Sequence, residues 1–227
     1  MANQIATVNG IAIANIANLN GITDANLAKL NGREFTSALP DAHTLIATAT
    51  ASGSSTLSFT SGIDSTYDEY EFRFEDMHPA TDGVKFQFQV NATGQTGFNE
   101  YITSTYYEAY QAGGSGTGVT SLLYKTANDS ASSTAYQPLT DDTGNENYSS
   151  ASGVLTLYAP SSTTYMKHFL ARVGSRPLES PSLVAQLKDS FAAGYFHTTN
   201  AIDEISFKFS SGNMDAGRIK MYGVAKS

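Results

Sequence analysis

The four histidines, at positions 43, 78, 168 and 197, are the first side chains to weigh for chemistry, because imidazole serves both as a metal ligand and as a general base. None lies in an HExxH, G-x-S-x-G or H-x-H arrangement, the spacings that bring such groups to one reacting atom. His78 precedes a proline and is expected in a loop, while His168 and His197 fall in predicted strands. We therefore assign them no catalytic or metal-binding role.

Carboxylates are the second candidates, since two of them can hydrolyse a glycosidic bond and oxygen-rich loops bind calcium. Glu69, Glu71 and Glu75 alternate with aromatic residues, however, and that alternation is typical of the solvated face of a strand. The run DDTGNEN at 141–147 has oxygen ligands and a glycine but lacks the spacing of an EF-hand. The sequence predicts no catalytic residue, no metal site and no cofactor.

Four tyrosines crowd one segment and are candidate surface contacts: Tyr101, Tyr106, Tyr107 and Tyr110. Tyrosine offers a large contact area at a low entropy cost, which suits both sugar stacking and contact between proteins. The chain has no tryptophan, which weakens a lectin interpretation. Core packing or contact between subunits accounts for these tyrosines at least as well.

An eleven-residue repeat near the N-terminus is the segment around which we expect the rest of the chain to be organised. Asn-Gly recurs at 9–10, 20–21 and 31–32, each time after Val8, Leu19 or Leu30. Such a strict register indicates one small structural module per repeat. We predict a short helix in each module, for example Ala25–Leu30 after Thr23, ended by a left-handed Asn-Gly turn.

The large side chains of this segment are too few to offset the entropy of ordering its backbone, so it is expected to fold against a partner. We predict that they anchor the chain and make it oligomeric; they are Val8, Ile11, Ile13, Ile16, Leu19, Ile22, Leu27 and Leu30. The predicted organisation is a repeat segment at 1–36, a linker at 37–42 and one further domain at 43–227.

Composition restricts the class of partner. The 227 residues carry 13 Lys and Arg against 21 Asp and Glu, a formal net charge of −8. Nucleic-acid binding needs clustered basic residues, so no such partner is expected. There is no cysteine, which excludes disulfides and zinc–thiolate sites. No apolar run approaches the length of a membrane span, and no basic stretch leads one, so neither membrane insertion nor a signal peptide is expected.

From residue 43 onward the pattern has a period of two, which indicates strands with one buried face. Predicted strands cover 43–50, 70–74, 84–90, 154–158, 165–173, 191–198, 205–209 and 218–224. Turn-rich links between them predict a mainly β fold, an antiparallel β-sandwich of the jelly-roll type. The polar stretches 111–118 and 127–153 are expected to be long surface loops, and 177–187 to hold one short helix.

Four stretches resemble virion structural proteins of tailed bacteriophages, especially marine and cyanobacterial phages. They are NGIAIANIANLNGITDANLAKLNG, FTSGIDSTYDEYEFRFEDMHPATDG, YAPSSTTYMKHF and SSGNMDAGRIKMYGV. The resemblance implies a place in the virion, after assembly in the host cytoplasm, but it assigns no site residues.

These observations favour a non-enzymatic virion protein, a short tail or neck fibre. It is expected to be a homotrimer whose repeat segment docks on other virion proteins of the tail, neck or capsid. Its β-sandwich head would then contact the host surface, with a surface glycan as one candidate ligand. The alternative is a capsid decoration or cement protein, and the third hypothesis is a glycan-active enzyme.

Overall fold

The computed structural model of the protein describes residues 43–114, 117–177 and 185–224, together with six two-residue stretches of the N-terminal segment. Contacts between residues divide the chain into two units, Met1–Ala42 and His43–Ser227.

In the N-terminal unit, the described residues form three antiparallel pairs of very short strands. They are β1 (Thr7–Val8) with β2 (Ile11–Ala12), β3 (Asn18–Leu19) with β4 (Ile22–Thr23), and β5 (Lys29–Leu30) with β6 (Arg33–Glu34). The inner partners of each pair are separated by two residues, and the sequence there is always Asn-Gly. Asn-Gly favours two-residue hairpin loops, so each repeat centres on a hairpin sequence.

The helix predicted over Ala25–Leu30 is wrong at Lys29 and Leu30, which are extended and paired. The physical reason is that Asn-Gly suits a hairpin as well as a helix end, and here its flanking residues pair across it. The first four residues of that prediction lie outside the described residues. So do three of the predicted anchoring residues, Ile13, Ile16 and Leu27, whereas the other five lie in the short strands: Val8, Ile11, Leu19, Ile22 and Leu30.

The second unit is mainly β, as predicted, and its alternating apolar residues form the strands. In chain order they are β7 (His43–Thr50), β8 (Leu57–Phe59), β9 (Glu69–Pro79), β10 (Phe86–Ala92), β11 (Ile102–Gly114), β12 (Thr117–Tyr124), β13 (Ala131–Ser133), β14 (Gln137–Pro138), β15 (Ala151–Tyr158), β16 (His168–Ser175), β17 (Ala185–Phe196), β18 (Ile202–Phe209) and β19 (Met214–Val224).

These strands form two antiparallel sheets. Among the described residues, the large sheet has the order β12-β11-β17-β16-β15-β9-β19-β7, with β13 paired to the start of β11. The small sheet has the order β14-β10-β18-β8. Consecutive strands from β7 to β11, and again from β17 to β19, alternate between the two sheets. The connections therefore tie the two layers together repeatedly.

The core lies between the inner faces of the two sheets. Phe207 on β18 meets Phe72 and Phe74 on β9, with ring centroids 5.6 and 5.3 Å apart. Farther along, Phe88 on β10 meets Phe169 on β16 at 5.0 Å. All five rings are buried, so the period-two aromatic pattern of the sequence builds the contact between the layers.

Three segments differ from the sequence expectation. The stretch 111–118 includes the end of β11 and the start of β12, which pair from Tyr107 with Tyr124 to Gly114 with Thr117. The short helix predicted at 177–187 is wrong at Ala185–Leu187, which begin β17, and most of it lies outside the described residues.

The stretch 127–153 is only in part a surface loop, because it contains β13, β14 and the start of β15, and several of its polar side chains are buried and hydrogen-bonded. Others, such as Ser132, Asn145 and Asn147, are exposed as predicted. Gln137 is fully buried; its side-chain nitrogen donates to the carbonyl oxygens of Asn128 and Pro138, both at 3.0 Å. Its side-chain oxygen accepts hydrogen bonds from Ser104 and Ser130. A polar segment is buried readily when its groups find such partners.

Candidate interaction surface

The outer face of the large sheet carries an apolar surface on the half that is formed by β12, β11, β17, β16 and β15. Strand register places Tyr124, Tyr107, Phe191, Arg172 and Val154 in one row across five neighbouring strands. Because side chains alternate along a strand, the residues two positions away share this face. We call it the apolar face and define it by these residues: Tyr107, Leu122, Tyr124, Val154, Tyr158, Leu170 and Phe191.

Ring stacking holds the centre of the apolar face. Tyr107 and Phe191 are stacked, with centroids 4.8 Å apart and planes 8° from parallel. The Arg172 guanidinium lies over the Phe191 ring at 5.0 Å, and it also pairs with Asp189, 2.7 Å from Nη2 to Oδ2. This ion pair raises the pKa of Arg172. The charges of the face are therefore neutralised by one another.

A shallow depression runs beside this stack. Tyr107, Val154, Tyr158, Leu170 and Phe191 all line it. Leu170 is 52% exposed and Tyr107 is 42% exposed, although both are large apolar side chains. A continuous apolar surface of this kind marks a contact site more often than scattered exposed residues do.

The other half of the same outer face is charged, on β9 and β19. Lys220 Nζ lies 2.6 Å from Glu75 Oε1, and Arg218 Nε lies 2.6 Å from Glu75 Oε2. Arg73 pairs with Glu71 and places its guanidinium 4.6 Å from the centre of the Tyr222 ring. The hydrogen bond from Lys220 is the largest cause of the lowered pKa of Glu75. The sheet therefore has a solvated half and an apolar half.

The structure separates the four predicted contact tyrosines. Tyr101 and Tyr107 point outward and are 55% and 42% exposed. Tyr106 is not a surface residue: it is fully buried, its hydroxyl bonds to Ser190 Oγ at 2.6 Å, and burial raises its pKa. Tyr110 is half-buried and donates to Gln186 Oε1 at 2.8 Å. The cause is the strand period of two, which sends Tyr106 and Tyr107 to opposite faces.

Directly behind the apolar face lies an ion cluster that we call the buried ion cluster, made of Glu108, Lys125, Asp141, Asp142 and Lys188. Glu108 is fully buried, and the other four side chains are 12–27% exposed. Lys188 Nζ lies 2.7 Å from Asp141 Oδ2 and 3.1 Å from Asp142 Oδ1. Lys125 Nζ lies 3.0 Å from both Glu108 Oε1 and Asp141 Oδ2. The cluster joins β11, β17 and the segment after β14, and so supports the strands that carry Tyr107 and Phe191.

The pKa values of the two aspartates of the cluster are shifted in opposite directions. Burial alone would raise the pKa of Asp141, but hydrogen bonds from Lys188, Lys125 and Asn128 more than reverse this and hold it well below its usual range. Burial raises the pKa of Asp142, which has Lys188 as its main opposing charge. Glu108 is 1% exposed, and its Oε2 atom has no hydrogen-bond partner among the described residues.

Sequence reasoning missed this cluster, although one signal was available. Glu108 is the only charged residue between Tyr101 and Tyr124, and its parity matches that of Ile102 and Tyr106, both buried. A lone charge on the buried side of a strand needs a buried partner. The acidic run 141–147 supplies two members, so Asp141 and Asp142 bind lysines.

The histidines make ordinary structural contacts. His197 bonds through Nε2 to Thr103 Oγ1 at 2.7 Å and stacks on Tyr195 at 5.0 Å. His78 Nε2 lies 3.2 Å from the carbonyl oxygen of Glu146, and His43 lies 3.5 Å from Glu71. Within 43–114, 117–177 and 185–224, no group of three or more His, Asp or Glu side chains is arranged to hold a metal ion.

Comparisons with known proteins yield no relative: no family model matches the chain, and neither does any curated protein or solved structure. Over the part of the chain that the structure describes, no helix is long and apolar enough to cross a bilayer.

Proposed function

We propose that this chain is a non-enzymatic structural protein of a tailed-bacteriophage virion. The observation that carries the proposal is the apolar face, a broad and largely uncharged surface on a chain whose net charge is −8. A sheet face of this composition is suited to permanent contact with another protein. Burying its apolar surface is favourable, and no unpaired charge loses its contact with water. The phage setting rests on the sequence resemblance.

The N-terminal repeat supplies the second contact in this proposal. Its three hairpin sequences recur every eleven residues and carry apolar side chains at Val8, Leu19 and Leu30. Isolated two-residue strand pairs are too short to be stable in water, so a partner must support them. We propose that this segment docks on the particle and holds three copies together, since closed symmetry is the rule for homo-oligomers.

We propose a short tail or neck fibre whose head, a β-sandwich of the jelly-roll type, contacts the host surface. The alternation of consecutive strands between the two sheets supports this architecture. A capsid decoration protein would use the same two contacts, and the place of the chain on the particle distinguishes the two roles.

The test uses the full chain in particles assembled with the wild type or with Leu170→Lys, which places a charge in the centre of the apolar face. Leu45→Lys is the matched control, because Leu45 is 51% exposed, against 52% for Leu170, but lies on β7 beyond the charged half. The proposal expects Leu170→Lys to reduce incorporation at least tenfold and Leu45→Lys to leave it unchanged.

Deleting residues 1–36 is expected to abolish incorporation and to lower the number of chains in the purified assembly threefold. A folded protein whose number of chains per assembly and incorporation are unchanged by the deletion contradicts the anchoring role. Equal incorporation of Leu170→Lys and Leu45→Lys contradicts the role of the apolar face.

A further inference from the structure

Among the described strands, β12 ends the large sheet and has no neighbour on its outer edge. Its eight residues pair with β11 in unbroken register, from Thr117 to Tyr124, and no other described strand pairs with it. Half of its backbone N–H and C=O groups therefore point away from the sheet. Such a row of unpaired groups is a template for another strand.

This edge lacks the features by which proteins usually prevent strand addition. β12 contains no charged residue, no proline and no bulge. The opposite edge strand, β7, has a register shift where it pairs with β19, and it lies beside the charged half of the sheet. The two edge strands of the large sheet therefore differ: β7 has features that hinder the addition of another strand, and β12 does not.

β12 exposes apolar side chains on both faces of the sheet. Leu122 and Tyr124 lie on the apolar face and are 73% and 59% exposed, while Val119 and Leu123 point to the other side and are 45% and 39% exposed. A partner must therefore cover both sides of the strand with apolar groups. A helix or a globular surface would cover one side only.

We propose that β12 pairs antiparallel with β12 of a second copy about a two-fold axis perpendicular to the sheet. A second copy of β12 meets each requirement of this edge, because it is extended, of equal length, uncharged, and carries apolar side chains on both sides. On a chain of net charge −8, two copies repel least where neither carries a charge. The pairing joins two large sheets and makes their apolar faces continuous.

This contact goes beyond the proposed function and is independent of the N-terminal trimer. If the repeat segment forms trimers, two-fold contacts between heads give an assembly of six chains; without it they give dimers. A two-fold axis also places one residue of β12 directly opposite the same residue of the second copy. Directly opposite residues have Cβ atoms about 4.5–5.5 Å apart, near the range that a disulfide spans.

The first experiment exploits the absence of cysteine from the chain. Single cysteines are placed in the full-length protein at Thr120, Ser121, Leu122 and Leu123, with Leu170→Cys as the control on the same sheet. After oxidation, covalent dimer is measured on denaturing gels. The proposal expects a sharp maximum at one β12 position, severalfold above the control. Dimer yields no higher than the control at every position overturn it.

The second experiment measures native mass by sedimentation for Leu122→Lys, Leu45→Lys and Leu170→Lys, each checked for an unchanged thermal midpoint. Leu122→Lys places like charges in facing strands and is expected to halve the mass. Leu45→Lys and Leu170→Lys are expected to keep the wild-type mass. Halving by both Leu122→Lys and Leu45→Lys indicates head-to-tail pairing of β12 with β7 and overturns the two-fold proposal, as does an unchanged mass of Leu122→Lys.

Discussion

Replacing Lys188 by methionine tests the buried ion cluster on which the apolar face rests. Lys188 is the cation within 3.1 Å of both Asp141 and Asp142, and its side chain is 12% exposed. Its loss leaves Lys125 as the one lysine of the cluster against three carboxylates. Breaking a buried ion pair by removing one partner costs about 3–5 kcal/mol, because the remaining charge stays desolvated.

For a domain of this size, each 1 kcal/mol lowers Tm by roughly 2–4 °C, so the expected fall is roughly 6–20 °C. Thermal unfolding followed by circular dichroism, with urea titration at neutral pH, measures the change. Because Asp142 has a raised pKa and binds a proton readily, the loss should be smaller at mildly acidic pH.

Lys220→Met is the matched control, since it removes the same charge from a pair with Glu75 that is more accessible to solvent, the two side chains being 27% and 36% exposed. Ion pairs that solvent screens contribute little to stability, so its Tm should fall by only a few degrees. If Lys188→Met and Lys220→Met are equally stable, the lysine does not stabilise buried carboxylates and the interpretation of the cluster is wrong.

Three further substitutions probe the fold. Phe207→Ala removes the ring at the centre of the contact between sheets and should cost about 3–5 kcal/mol in urea unfolding; a loss under 1 kcal/mol would contradict that placement. Asp141→Asn should lower the free energy of unfolding most at neutral pH. The difference in this free energy from wild type should shrink as pH falls below 3.8, because the folded-state pKa of Asp141 is lowered. The same difference at pH 7 and at pH 3 would refute this. Gly217→Ala should cost about 1–3 kcal/mol, since φ is 113° and an added Cβ would lie 2.6 Å from the Asp76 carbonyl oxygen. At Gly113 an added Cβ would meet no atom of the described residues within 4 Å, so Gly113→Ala should be nearly neutral.

Much of the sheet structure was predictable from the sequence, because burial of one face imposes a period of two. The predicted strand 43–50 coincides with β7, and the aromatic alternation at 70–74 lies within β9. Boundaries were less accurate: β17 begins at Ala185, not Phe191, because its first six residues, AQLKDS, pair with β11 although they lack a regular apolar pattern.

The hairpin of β11 and β12 was not predicted, for a physical reason. Gly113, Gly114 and the polar residues around them have weak strand preference and resemble a loop. These residues are extended because β11 pairs with β12 and β17. β17 is distant in the sequence, and β12 has no regular alternating pattern. Strand formation by tertiary pairing leaves little local signal.

The candidate surface was only partly predictable. Tyr107 was expected as a contact residue and lies on the apolar face, but so was Tyr106, which is buried. Leu170 and Phe191 belong to strands that were predicted, yet their meeting with Tyr107 depends on the sheet order, which a sequence pattern does not specify. The buried ion cluster likewise depends on contacts between residues up to 80 positions apart, as between Glu108 and Lys188.

The most direct test of the account locates the chain on purified virus particles. Antibody against the second unit, detected with gold in the electron microscope, should label intact particles at a regular position, in a number that fits closed oligomers. Label on the tail or neck fits a fibre, and label over the capsid fits decoration. A chain that is abundant in infected lysate but absent from washed particles would contradict the proposal that it is a structural protein of the virion.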